Sequence, residues 1–131
     1  MERMDSGKSD CPFCEIPKNR IILTNDYAYA IRDGFPVTEL HTLIIPKRHV
    51  PDYFGLNQNE REACNQLLHE LRAQIQEADS SVDGFNIGMN VGSVAGQTVS
   101  HCHIHLIPRR RGDVENPRGG VRHLIPGKGN Y

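Results

Sequence analysis

The sequence predicts an α+β domain: an antiparallel sheet of about five strands carrying one long helix. Three observations predict it. Short β-prone apolar runs stand in pairs before and after one long helical period. No strand–helix–strand alternation links them, which argues against a parallel sheet. The chain has 131 residues, enough for one domain and too few for two.

Each element follows from local chemistry. Residues 1–10 are polar and read as a flexible leader ahead of a domain at 11–111. Residues 21–23 and 27–31 are β-prone and flank Thr24-Asn25-Asp26, the pattern of a hairpin. Asp33-Gly34-Phe35-Pro36 is a turn, and 40–46 a buried strand stopped by its proline. Asn57 with Glu60 three residues later is a capping pair. Ala63, Leu67, Leu68, Leu71, Ile75 and Ala78 then repeat at helical spacing up to about Asp79, a stripe that reads as core or dimer interface. Residues 84–91 form the next strand, 94–96 a loop, and 99–107 a last strand ending at Pro108. Residues 112–131, rich in Gly, Pro and Arg, read as an irregular basic tail.

Composition narrows the function. Apolar residues at 37% and charged residues at 24% describe a globular chain rather than a disordered one. A net charge of −1 argues against a nucleic-acid partner gripped through a basic surface. Leu43-Ile44-Ile45 is too short to span a membrane, and the polar N-terminus lacks the apolar core of a signal peptide, so a cytoplasmic location is expected. The charge is uneven, however. Residues 1–108 hold 9 Lys/Arg against 14 Asp/Glu, whereas 109–131 hold six basic residues against Asp113 and Glu115. That block is either a solvated tail or a partner for an anionic ligand, since guanidinium pairs well with phosphate.

The stretch His101-Cys102-His103-Ile104-His105-Leu106-Ile107 carries the most chemistry. On a strand its histidines share one face, about 7 Å apart, with Cys102, Ile104 and Leu106 on the other. An imidazole row on an apolar back serves either a catalytic metal or a histidine nucleophile with imidazole helpers. Spacing alone does not choose. The preceding Gly92-Ser93-Val94-Ala95-Gly96-Gln97-Thr98 favours phosphate: its small residues let backbone N–H groups approach an anion, and Gln97 and Thr98 carry donors.

Residues 96–107 resemble the signature of the histidine triad (HIT) family of nucleotide hydrolases and transferases. The resemblance extends to Asp33, to residues 41–49 (His41-Thr42-Leu43-Ile44-Ile45-Pro46-Lys47-Arg48-His49) and to Asn90-Val91-Gly92. It implies a HIT-like fold in which His103 attacks the α-phosphorus of a nucleoside phosphate through Nε2. The nucleotidyl-histidine so formed is then hydrolysed to the nucleoside monophosphate. His105 and His41 would hold phosphate oxygens and Asp33 the ribose. Asn90, Gly96, Gln97 and Thr98 would contact the phosphate, bridging atom or leaving group. Family members are homodimers as a rule. Two branches compete: Fhit-like hydrolases of adenosine and dinucleoside polyphosphates such as diadenosine tetraphosphate, and Hint-like nucleoside phosphoramidases. The arginine tail tips the balance to the first. A phosphorylase or transferase variant and a non-catalytic nucleotide-binding protein stay open, and Mg²⁺ with the substrate is compatible with the reading.

Cys11-Pro12-Phe13-Cys14 has the C-x2-C spacing of a zinc knuckle. The rival redox pair lacks a thioredoxin-like context. The resemblance supplies the other two ligands, His49 and His101, which makes the expected Zn²⁺ structural. Cys64 and Cys102 read as small core residues, and His69 and His123 as surface groups.

Overall fold

A computed structural model describes residues 10–131; all but the last residue of the leader expected at 1–10 lies outside the described residues. The chain runs β1 (Ile21–Thr24), β2 (Ala28–Arg32), β3 (Thr42–Pro46), α1 (Gln58–Ala78), β4 (Val82–Gly88) and β5 (Ile104–Arg110). All pairings are antiparallel, in the order β1-β2-β3-β5-β4. The α+β expectation holds, with five strands and one long helix. Among the described residues no helix is long and apolar enough to cross a membrane.

The sheet has two differently used faces. Ala28, Ala30, Ile44, Ile104 and Leu106 meet Ala63, Cys64, Leu67, Leu71 and Ile75 of α1 in the main core. The capping box closes the helix start: Asn57 accepts from the Glu60 N–H, and Glu60 Oε1 accepts from the Asn57 N–H, both at 2.9 Å. On the opposite face Tyr29, Ile31, Leu43 and Ile45 cluster under Phe13, Ile16 and Ile21 from the N-terminal segment. His105, Ile107 and Arg109 continue that face across β5.

Several boundaries differ from expectation, most of all those of β4 and β5. β5 begins at Ile104, not at 99, so only His105 of the row lies on a strand. Extending the register Thr42↔Leu106, Ile44↔Ile104 by two residues would oppose Pro46 to Cys102. Pro46 has no N–H to give, its carbonyl accepts from the His101 ring at 2.8 Å, and the Cys102 N–H donates to Val50 O instead. A side-chain bond takes the place of the ladder. β5 also runs through Pro108 rather than stopping there: Pro108 lies past the last β3 pair, and its carbonyl accepts from Thr38 Oγ1 at 2.7 Å. β4 starts earlier and ends at Gly88 instead of 91, because its partner residues beyond Ile104 are no longer strand.

The tail is shaped rather than loose. Gly120–Leu124 forms a 3-10 turn entered through Gly119 at φ +95°, where a Cβ would collide with the Gly129 carbonyl. His123 Nε2 donates to Arg118 O at 2.8 Å, and Arg118 and Arg122 lie over the Tyr131 ring at 5.0 and 4.4 Å.

Candidate active site and metal centre

The site forms where β3 and β5 meet. Leu40, at φ +72°, turns the chain into β3 and leaves His41 buried at its start, 3% exposed. The His41 side chain is then fixed from both sides. The Val37 N–H donates to Nδ1 at 3.1 Å, so Nε2 carries the hydrogen and donates to His105 Nδ1 at 2.9 Å. That leaves the single hydrogen of the neutral His105 ring on Nε2, where it can meet an anion. Asp33 Oδ2 stands beside the relay, 3.4 Å from His41 Nε2 and 4.0 Å from His105 Nδ1, while Oδ1 accepts from the Phe35 N–H. Asp33, His41 and His105 also bring three donor atoms within 4.8 Å of one another.

His103 sits in the extended run before β5, its ring 5.2 Å from that of His105 and 4.9 Å from Phe13. Its Nδ1 lies 2.8 Å from the carbonyl of His101. A carbonyl only accepts, so Nδ1 carries the hydrogen and Nε2 keeps its lone pair. Burial lowers the pKa of His103 and of His41. His105 is pushed down to about 4, first by burial and then by His103 and His41. At neutral pH the triad is therefore uncharged, with one bare nitrogen on His103 and one N–H on His105.

The loop residues divide. Gly96, at φ +95°, closes the turn Ser93–Ala95 with no side chain in the way, and Thr98 is exposed beside it. Gln97 is buried and serves as the loop's staple: Oε1 accepts from the Gly92 N–H, and Nε2 donates to Pro51 O and Val99 O. Asn90 lines a cavity of about 540 Å³ shared with His41 and His105.

Cys11, Cys14, His49 and His101 come together from three separate places in the chain. Their ligating atoms all lie within 4.8 Å of one another. Sγ of Cys11 is 3.2 Å from His101 Nδ1, and Sγ of Cys14 is 3.1 Å from His49 Nδ1. A tetrahedral zinc site places S and N ligands about 3.6 Å apart, so these pairs need only open slightly to admit the ion. His101 Nε2–H is spent on Pro46 O, which leaves Nδ1 as the ligand atom and supplies the outer support such ligands need. Two thiols and two imidazoles fit a structural metal with no open position.

Some participants were not foreseen from sequence: the Phe13 ring, the Val37 N–H and the tail residues Val121 and Leu124. Phe13 was legible in principle, since a residue between two clustered cysteines must lie where they converge. The expectation that tail arginines face the ligand meets a different arrangement. Arg109 makes two 2.8 Å contacts with Asp113 and one of 2.7 Å with Asn86; Arg110 binds Asp79 and the Glu39 carbonyl.

Comparison with known proteins agrees with the geometry. The HIT domain model matches residues 14–112. An uncharacterized HIT-like protein of Mycoplasma genitalium is 36% identical over 105 residues, covering 77% of this chain and 74% of that protein. The bis(5'-adenosyl)-triphosphatase of Dictyostelium discoideum is 34% identical, covering 77% and 67%. Among solved structures, a Zn-bound histidine triad family protein from Mycobacterium smegmatis superposes with a TM-score of 0.73 at 33% identity, covering 82% and 80%. The fold and the histidine row define a histidine-centred nucleotide site, and the chain belongs to the HIT family.

Proposed function

We propose that this chain hydrolyses nucleoside phosphates at the α-phosphorus through a nucleotidyl-His103 intermediate, releasing the nucleoside monophosphate. The observation that carries it is the tautomer at His103: the His101 carbonyl holds hydrogen on Nδ1, so Nε2 is a bare nucleophile. In the first step the Nε2 lone pair forms an N–P bond. The bond from phosphorus to the leaving group breaks, and its electron pair departs on the leaving atom, which takes up a proton. The ring gains positive charge, and the His101 carbonyl stabilises it through Nδ1–H. His105 Nε2–H, backed by His41, hydrogen-bonds a phosphate oxygen as charge builds. In the second step a water oxygen bonds to phosphorus, the N–P electrons return to Nε2, and the water's proton leaves to solvent. Splitting the displacement in two lowers each barrier.

Diadenosine polyphosphates are the substrates favoured by the Dictyostelium relative, whose name is that of a bis(5'-adenosyl)-triphosphatase. A second reading, phosphoramidates, is favoured by Arg109 and Arg110, whose guanidinium groups are engaged by Asp113 and Asp79 rather than held open for a long polyphosphate. Zn²⁺ is proposed in the Cys11, Cys14, His49, His101 cluster as a structural ion that holds the knuckle to the catalytic segment. A homodimer formed through α1 and the edge strand β4 belongs to the same reading. The deciding test offers diadenosine tetraphosphate and adenosine phosphoramidate together and follows AMP, ATP and the remaining substrates by chromatography. AMP release from either supports the hydrolase. AMP bound with neither substrate consumed makes this a binding protein.

A further inference from the structure

We infer that Asp33 is a positioning residue of the reaction: its carboxylate holds the His41–His105 pair in the one tautomeric arrangement that presents an N–H to the phosphate. This role is separate from any contact with the ribose. It deepens the hydrolase reading and rests on it.

The sheet itself brings the two side chains together. The β2–β3 register pairs Ile31 with Leu43 and Arg32 with Thr42. One step further sets Asp33 opposite His41, and the Asp33 N–H closes the ladder there by donating to His41 O at 2.9 Å. Side chains directly opposite on one face of an antiparallel pair stand within reach of each other. Asp33 Oδ2 accordingly lies 3.4 Å from His41 Nε2 and 4.0 Å from His105 Nδ1.

The carboxylate is also held from behind. Oδ1 accepts from the Phe35 N–H at 2.8 Å, an Asx turn that fixes the side chain against its own loop. The Asp33 side chain is 15% exposed and that of His41 3%, so little water screens one from the other. One oxygen is spent on the loop, and the other is turned inward to imidazole.

The consequence is a tautomer set twice. The Val37 N–H donates to His41 Nδ1, which requires the ring hydrogen on Nε2. A carboxylate beside Nε2 favours a hydrogen there for its own reason, since it can only accept. The same hydrogen reaches His105 Nδ1 at 2.9 Å and leaves the His105 hydrogen on Nε2. With the opposite tautomer at His41, His105 would carry its hydrogen on Nδ1 and turn a bare nitrogen to the anion. Burial lowers the pKa of both rings, with the neighbouring imidazoles adding to the drop at His105, and Asp33 pulls each the other way. Its charge has a task in turnover too. His103, whose ring is 5.2 Å from that of His105, becomes cationic in the intermediate, and a buried cation needs an opposite charge nearby.

The test separates this role from ribose binding. Adenosine phosphoramidate and its 2′,3′-dideoxy counterpart share the phosphorus and the leaving group, but the second has no hydroxyl for a carboxylate to hold. Wild type, Asp33→Ala and Asp33→Asn are assayed on both, and 2′,3′-dideoxy-AMP is titrated calorimetrically into each chain. Asp33→Ala should lower kcat at least about tenfold on both compounds and by the same factor, as loss of a carboxylate that orients an imidazole does. Asp33→Asn, which keeps an acceptor but not the charge, should recover part of the loss. Affinity for the dideoxy nucleotide should stay within a few-fold of wild type. A penalty that disappears on the dideoxy compound would mean that the carboxylate serves only the ribose, and would overturn the inference. So would an unchanged kcat on both compounds. The readout independent of turnover is the His41 Nε2–H resonance of the free protein, which should move upfield or be lost to exchange in Asp33→Ala. If the wild type consumes neither compound, the hydrolase reading is what fails, whereas an unaltered resonance in Asp33→Ala overturns the positioning role by itself.

Discussion

The imidazole of His103 is held by the peptide of His101: ring Nδ1 and carbonyl oxygen lie 2.8 Å apart, while the ring of His101 itself stands in the Cys11, Cys14, His49 cluster. Whatever fixes the His101 ring therefore fixes the carbonyl that sets the nucleophile's tautomer.

Metal removal should accordingly reach the active site. Protein purified without chelator is expected to carry one Zn²⁺ per chain by elemental analysis. Cys14→Ser should lose it, lower the melting temperature and reduce kcat with little change in nucleotide affinity. Full activity in metal-free protein would break the link between cluster and nucleophile.

His103→Ala should lower kcat by at least about 10³-fold, since no other side chain can supply the covalent route. AMP affinity, measured by calorimetry, should stay within a few-fold of wild type. A variant that still turns over at wild-type rate would mean that His103 is not the attacking group.

Acid should destabilise the fold. The unfolded chain protonates His105 near its ordinary pKa of about 6.5, whereas the folded chain resists until about 4. The unfolded state thus binds more protons throughout that window, and stability rises with pH there. The contribution is complete above about 6.5 and is lost as pH falls toward 4; His41, shifted the same way by burial, adds to it. Urea midpoints measured at pH 7.5, 6 and 5 should fall in that order, and His105→Asn should flatten the trend.

Glu60 is 2% exposed and serves two partners, Arg48 at 2.8 Å through both oxygens and the Asn57 N–H. Hydrogen bonding from Arg48 holds its carboxyl below the usual range. Glu60→Ala should cost about 2 kcal/mol by urea denaturation, from a lost cap and a lost ion pair. Arg48→Ala should cost at least as much, because it leaves the buried Glu60 carboxylate without its guanidinium, whereas in Glu60→Ala the half-exposed Arg48 is met by water.

Much of the sheet and the helix was legible because periodicity reports burial directly. The α1 stripe, the Asn57–Glu60 cap and the apolar back of β5 are each local patterns with one physical meaning. The start of β5 was not legible, because it depends on Pro46 lacking a hydrogen and on its carbonyl being taken by a ring 55 residues away. The histidine row showed which residues matter; its tautomers depend on Val37 N–H and His101 O, which no spacing encodes. Gln97 looked like a donor for substrate, yet its amide is spent on Pro51 and Val99. The tail misled through its charge. A count of arginines cannot show that their partners are Asp113, Asp79 and Tyr131.

The strand order β1-β2-β3-β5-β4 sets the sequence in which the molecule is completed. Among the described residues β4 pairs with β5 alone, so it waits unpaired until the chain has been made through Arg110 and the last strand has slid into the gap beside β3. His103 and His105 arrive with that closing strand, and Cys11 meets His101 only across 90 residues. Contacts of such long separation form late. A chain arrested during synthesis, or clipped before residue 101, thus holds His41 without His103 or His105 and three of the four cluster residues without His101, and nucleophile and metal cluster are completed in the same folding event.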